Sequence, residues 1–146
     1  MLDEPGHEQV HAILDRAFIH AVNIAEVVSK LIRKGVPGLR AEQMIEELDL
    51  DIDQNLPAHQ AALCGELVAQ TRQQGLSLGD CICLTVAASN GSIAVTADRR
   101  WQELSGQRIE NNEIRVQVIR LVMLPYRACA CPPSHRPFQC TVAALR

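Results

Sequence analysis

The chain reads as an α/β domain, a mostly parallel sheet covered by helices on both faces. Three observations carry that expectation. Helical and strand patterns follow one another in the order helices, strand, long helix, helix, strand, helix, strand. Ile93-Ala94-Val95 is apolar without alternation, the pattern of a parallel strand buried on both faces. Leu48–Ile52 alternates apolar and acidic residues, as a half-exposed strand near a sheet edge does. A chain of 146 residues fits one domain with a proper core, and no internal repeat or second domain is visible.

Taken in order, Asp3-Glu4-Pro5-Gly6 reads as a turn, and a helix is expected from about His7 to Ala17 with Val10, Ile13 and Leu14 as its stripe. The clearest helical pattern is 18–34. Ile24, Val27, Val28 and Leu31 form one face, Lys30, Arg33 and Lys34 suit the C-terminal dipole, and Gly35 supplies the stop. Residues 39–48 predict a short helix. Pro57 suits the first turn of the next helix, which should run to about Gln74 and end at Gly75. Residues 76–104 predict an apolar helix opened by Asp80, a turn at Asn90-Gly91, a strand over 93–97 and a second helix opened by Asp98. A polar loop over 105–112 and a last strand within 114–124 complete the domain.

Charge and composition exclude several classes. The net charge of −3 marks no generic nucleic-acid binder. The imbalance deepens over 1–120: setting aside Arg127, Arg136 and Arg146 leaves 11 basic against 17 acidic side chains, a net of −6. No run approaches the length of a membrane helix and no signal-peptide pattern opens the chain, so the expected location is the cytoplasm, with no membrane partner. Cys64, Cys81 and Cys83 fall in apolar helical patterns and are expected to behave as small buried hydrophobes.

The candidate chemistry lies in the acids. Asp98 follows the carboxyl end of a strand, where open parallel sheets bind ligands, and a carboxylate there can hold a hard cation through oxygen. Asp80 and Asp98 also suit helix N-caps, and the two roles are compatible. Glu26 on the second helix reads equally as a solvated i,i+4 partner of Lys30, worth a few tenths of a kcal/mol.

Three segments together resemble the PIN-domain family, and more closely its VapC-type toxins: Asn23-Ile24-Ala25-Glu26-Val27, Leu76-Ser77-Leu78-Gly79-Asp80, and Val95-Thr96-Ala97-Asp98-Arg99 followed by Trp101. The resemblance covers roughly residues 2–120 and implies a three-layer PIN-like fold. It implies a metal-dependent ribonuclease held inactive by a cognate antitoxin, often dimeric. Glu26, Asp80 and Asp98 match the acids that bind Mg²⁺ or Mn²⁺ and carry catalysis, and Thr96 matches a hydroxyl that supports them. Arg99 and Arg100 are candidates for contact with the RNA backbone, or else part of a solvated face. Trp101 is expected to pack.

Family chains open with a central strand bearing a first acid, then a short helix leading to a turn like Asp3-Glu4-Pro5-Gly6. This chain begins at that turn, so the resemblance implies a PIN-like domain over 1–120 that is N-terminally incomplete. The missing strand is typically about 5–6 residues, and three of four acids remain. Asp3 matches the turn and does not fill the gap. The true start then lies upstream, or the chain is a decayed copy. The alternative function is a catalytically inert PIN-like domain that only binds an antitoxin or another partner. Residues 121–146 hold the end of the last strand and a tail with four of the seven prolines, three of the six cysteines and no acid; no sustained periodicity marks an element there. Cys129, Cys131, His135 and Cys140 give the ligand count of a Cys₃His zinc site, but with tighter spacing than structural zinc patterns.

Overall fold

The computed structural model describes residues 7–119 and 141–145, the last five by their backbone. The turn expected at residues 3–6 and the tail ligands Cys129, Cys131, His135 and Cys140 lie outside the described residues.

The chain enters through helix α1 (His7–His11) and a 3-10 turn (Leu14–Arg16), shorter than the helix expected over 7–17. A strand then stands where the sequence suggests only helix: β1 (Ala17–His20), buried at all four positions. It pairs in parallel with β2 (Asp51–Asp53), Phe18 opposite Asp51 and His20 opposite Asp53. Ala17, Phe18 and Ile19 satisfy a helical stripe and a doubly buried strand equally well. No Gly or Pro separates them from the helix that follows, so pairing with β2 decides the matter. His20 ends the strand and caps helix α2 (Ala21–Arg33), its Nδ1 accepting a hydrogen bond from the Val22 backbone N–H at 3.2 Å.

Helix α3 (Gly38–Glu46) returns the chain to β2, which begins later than the sequence pattern suggests and lies at the sheet edge as expected. Helix α4 (Ala58–Gln70) starts directly after Pro57. Helix α5 (Leu78–Ser89) has no polar face, and every residue from Cys81 to Ala88 is buried. A helix apolar all round must be enclosed by protein, and α5 forms the centre of the main core with Phe18, Leu63, Leu67, Trp101 and Ile114. Trp101 is fully buried, a packing residue as expected.

Strand β3 (Ile93–Thr96) leads into a 3-10 helix (Arg99–Leu104), where the sequence suggests an α-helix. The stretch expected to be a polar loop contains a small hairpin, β4 (Arg108–Ile109) and β5 (Asn112–Glu113). Strand β6 (Val116–Val118) then pairs in parallel with β3.

The last described element is β7 (Thr141–Leu145). The five-stranded sheet has the order β2-β1-β7-β3-β6, and β7 runs antiparallel to both neighbours. Ala144 lies opposite Phe18 on one side and Ala94 on the other. The sequence suggests no element in this stretch and a sheet short of its central member. A gap between two strands exposes two rows of backbone donors and acceptors, and a short apolar segment such as Thr-Val-Ala-Ala-Leu satisfies both at once. The sheet is therefore parallel within its two outer pairs and antiparallel at its centre.

Candidate active site

The acids reach one end of the fold from three elements. Glu26 projects from α2, Asp80 from the first turn of α5, and Asp98 from the residue that caps the 3-10 helix just past β3.

Asp80 is not itself the N-cap of α5. Ser77 is, and the two residues form a capping box. The Ser77 hydroxyl accepts from the Asp80 backbone N–H at 3.1 Å, while Asp80 Oδ2 accepts from the Ser77 backbone N–H at 2.8 Å. Ser77 also donates its hydroxyl to Glu26 Oε1 at 3.2 Å, so one serine joins two carboxylates. The Glu26 carboxylate lies directly over Gly79: a Cβ there would stand 2.5 Å from Oε1, 2.6 Å from Cδ and 2.9 Å from Oε2. Glycine at 79 is what admits the carboxylate to the helix N-terminus, where backbone N–H groups and the helix dipole favour negative charge. Buried Asn23, one turn before Glu26, donates from Nδ2 to the Gly79 carbonyl at 3.0 Å and pins α2 to this turn.

Asp98 is buried and held on every side. Its backbone N–H donates to the buried Thr96 hydroxyl at 3.0 Å, so Thr96 shapes the turn that aims Asp98. Its Oδ1 accepts from the Arg100 backbone N–H at 3.0 Å and from Arg100 Nε at 3.1 Å. Its Oδ2 accepts from Nε at 2.9 Å and from Nη2. Burial works to raise the Asp98 carboxyl pKa, but the hydrogen bonds and charge of Arg100 outweigh it and hold the group below the usual carboxylate range. Arg100 is pushed up in turn, first by its hydrogen bond to Asp98, and the charge of Asp80 adds to the effect. Arg99 is exposed.

The structure thus brings Glu26 and Asp80 together through Ser77 and pairs Asp98 with Arg100, which also bonds the loop entering α5. Three carboxylates are suitable donors for a hard divalent ion. As placed, however, they do not fit one: among the described residues no group of three or more His, Cys, Asp or Glu side chains is gathered closely enough to hold a metal. Both Asp98 oxygens are already committed to Arg100. Sequence reasoning assigned no role to Ser77, Asn23 or Gly79. The S-x-x-D spacing of a capping box was the available signal for Ser77; the cross-helix contacts of Asn23 and Gly79 leave no mark in the sequence.

Fold and site together define an α/β domain with an acidic centre where a helix N-terminus meets the carboxyl end of a strand. The chain belongs to the PIN-domain family, whose family model matches residues 1–107, a span that contains all three acids. PIN domains are in general divalent-metal-dependent nucleases. Comparisons with curated proteins and with solved structures give no match. No described helix is long and apolar enough to cross a membrane.

Proposed function

We propose that this chain is a metal-dependent RNA endonuclease of the VapC type, the toxin of a toxin–antitoxin pair, acting in the cytoplasm by hydrolysis of RNA phosphodiesters. Glu26, Asp80 and Asp98 are its catalytic acids, and Mg²⁺ or Mn²⁺ is the ion they would serve. Thr96 supports Asp98 through the turn, and exposed Arg99 contacts the RNA backbone. A cognate antitoxin and a second copy of the chain are its expected protein partners. The observation that carries the reading is the convergence of Glu26, Ser77 and Asp80 on the N-terminus of α5, inside the span matched by the family. The likeness of the three acid-bearing segments to VapC-type toxins supports the toxin role.

One observation favours a second reading, an inert PIN domain that only binds its antitoxin: the pairing of Asp98 with Arg100 leaves no gathered metal cage. Incubation of the purified chain with end-labelled RNA separates the two. The nuclease reading expects cleavage that needs Mg²⁺ or Mn²⁺, stops with a chelator, and falls at least about 100-fold in Asp80→Asn. Cleavage unchanged in Asp80→Asn and Glu26→Gln would remove these acids from the mechanism. No cleavage at any Mg²⁺ or Mn²⁺ concentration would favour the inert domain.

A further inference from the structure

Arg100 does more than neutralise a buried acid. Its guanidinium reaches in two directions: Nε and Nη2 grip the Asp98 carboxylate, and Nη1 donates to the carbonyls of Gln74 at 2.9 Å and Gly75 at 3.2 Å, in the loop that enters α5. The backbone of Gly75 is in the left-handed region (φ +69°), and a Cβ added there would meet Nη1 at 3.2 Å. This glycine therefore serves both the turn and the arginine. The charge of Asp80 also acts on the guanidinium, so this fixed cation is tied to Asp98 by hydrogen bonds and to Asp80 by charge.

We infer that Arg100 is an internal competitor for the divalent cation: its guanidinium closes the acidic centre by occupying Asp98, and an ion can join Asp98 only by displacing it. This inference rests on the metal-dependent reading above. The physical grounds are specific. A guanidinium keeps its charge at every accessible pH, so no change of pH opens the site by deprotonating Arg100. A bidentate carboxylate pair is among the stronger hydrogen-bonded contacts in proteins, and here the carbonyls of Gln74 and Gly75 fix the arginine in place. Two cations cannot share one buried carboxylate without strong mutual repulsion. The chain's affinity for Mg²⁺ or Mn²⁺ is then set by the difference between the ion's contacts and those of Arg100, and the closed form is the resting state.

The test is Mn²⁺ binding by the intact chain, followed by the electron paramagnetic resonance signal of unbound Mn²⁺, in wild type, Arg100→Gln, Arg100→Lys and Asp98→Asn. Losing a charge-assisted pair should tighten Mn²⁺ binding roughly ten-fold or more in Arg100→Gln. Arg100→Lys, which keeps the charge but loses the fork, should fall between. Asp98→Asn should bind more weakly than wild type. Far-UV circular dichroism checks that each variant is folded.

A second measurement needs no variant. The Arg100 Nε–H resonance of wild type should be protected from exchange without Mg²⁺ and lose that protection as Mg²⁺ saturates the protein. Equal Mn²⁺ affinity in wild type and folded Arg100→Gln would overturn the competition and leave the metal reading standing. So would Nε–H protection that survives saturating Mg²⁺. Absence of Mn²⁺ binding in wild type and in folded Arg100→Gln would overturn both readings together.

Discussion

Gly79→Ala separates what helix propensity asks of α5 from what the site asks of it. On propensity alone the change stabilises, because Ala is better than Gly in a helix by up to about 1 kcal/mol, and less in a first turn. The structure sets a cost against that gain. The new methyl would arrive 2.5 to 2.9 Å from the Glu26 carboxylate, so the carboxylate must retreat by about 1 Å to reach ordinary contact distance. The 3.2 Å hydrogen bond from the Ser77 hydroxyl does not survive that retreat. Its loss costs about 1 kcal/mol, because Glu26 is half-buried and water replaces part of the contact. Gly79→Ala should therefore leave stability nearly unchanged in the wild-type background. In a Glu26→Ala background the three atoms nearest the methyl are gone, and the same change should stabilise by up to about 1 kcal/mol. The assay is urea unfolding of the four chains of this double-mutant cycle, read by circular dichroism. A coupling energy below about 0.3 kcal/mol, within the error of additivity, would refute the claim that Gly79 exists to admit Glu26.

Three further outcomes follow from the same geometry. Because the folded pKa of Asp98 is lowered, its stabilisation is present above the ordinary aspartate range and is lost as pH falls through the lowered value. The deficit of Asp98→Asn in urea unfolding should be large near about pH 7 and fade toward about pH 3, and a pH-independent deficit would contradict the pairing with Arg100. Burial pushes the Cys83 thiol up to about 12 and raises Cys64 and Cys81. Maleimide labelling of the native chain near about pH 8, read by peptide mass mapping, should therefore spare all three, since thiolate is the reacting form; labelling as fast as in urea would refute their burial. Finally, Ala144 pairs with strands on both sides of β7. A proline there removes a ladder hydrogen bond in mid-sheet, so Ala144→Pro should cost about 3 kcal/mol or more in urea unfolding, and an unchanged midpoint would show that β7 does not complete the sheet.

Much of the fold was legible because it rests on local pattern. The uniformly apolar run of α5 demanded enclosure. Ile93-Ala94-Val95 demanded a strand with both faces covered, and Asp80 and Asp98 fell at element ends, Asp98 just past the strand where such folds place ligands. The sequence also placed Glu26, Asp80 and Asp98 within family-like segments. It could not place β1, since Ala17-Phe18-Ile19 fits a helix face and a buried strand equally, and only pairing with Asp51–Asp53 chose between them.

What the sequence determined by itself is the α/β class, the apolar helix and strand at its centre, and the acid types available for chemistry, because periodicity and capping are local properties of the chain. What only the tertiary structure decided is how those pieces meet. It put an antiparallel strand from residues 141–145 into the middle of the sheet, laid Glu26 over Gly79, and closed Arg100 on Asp98 with the carbonyls of Gln74 and Gly75 as its anchor. Each of those contacts joins elements that touch only once the core has formed. Backbone pairing, side-chain clearance and charge compensation between such elements are settled by three-dimensional packing, which no local window of sequence records.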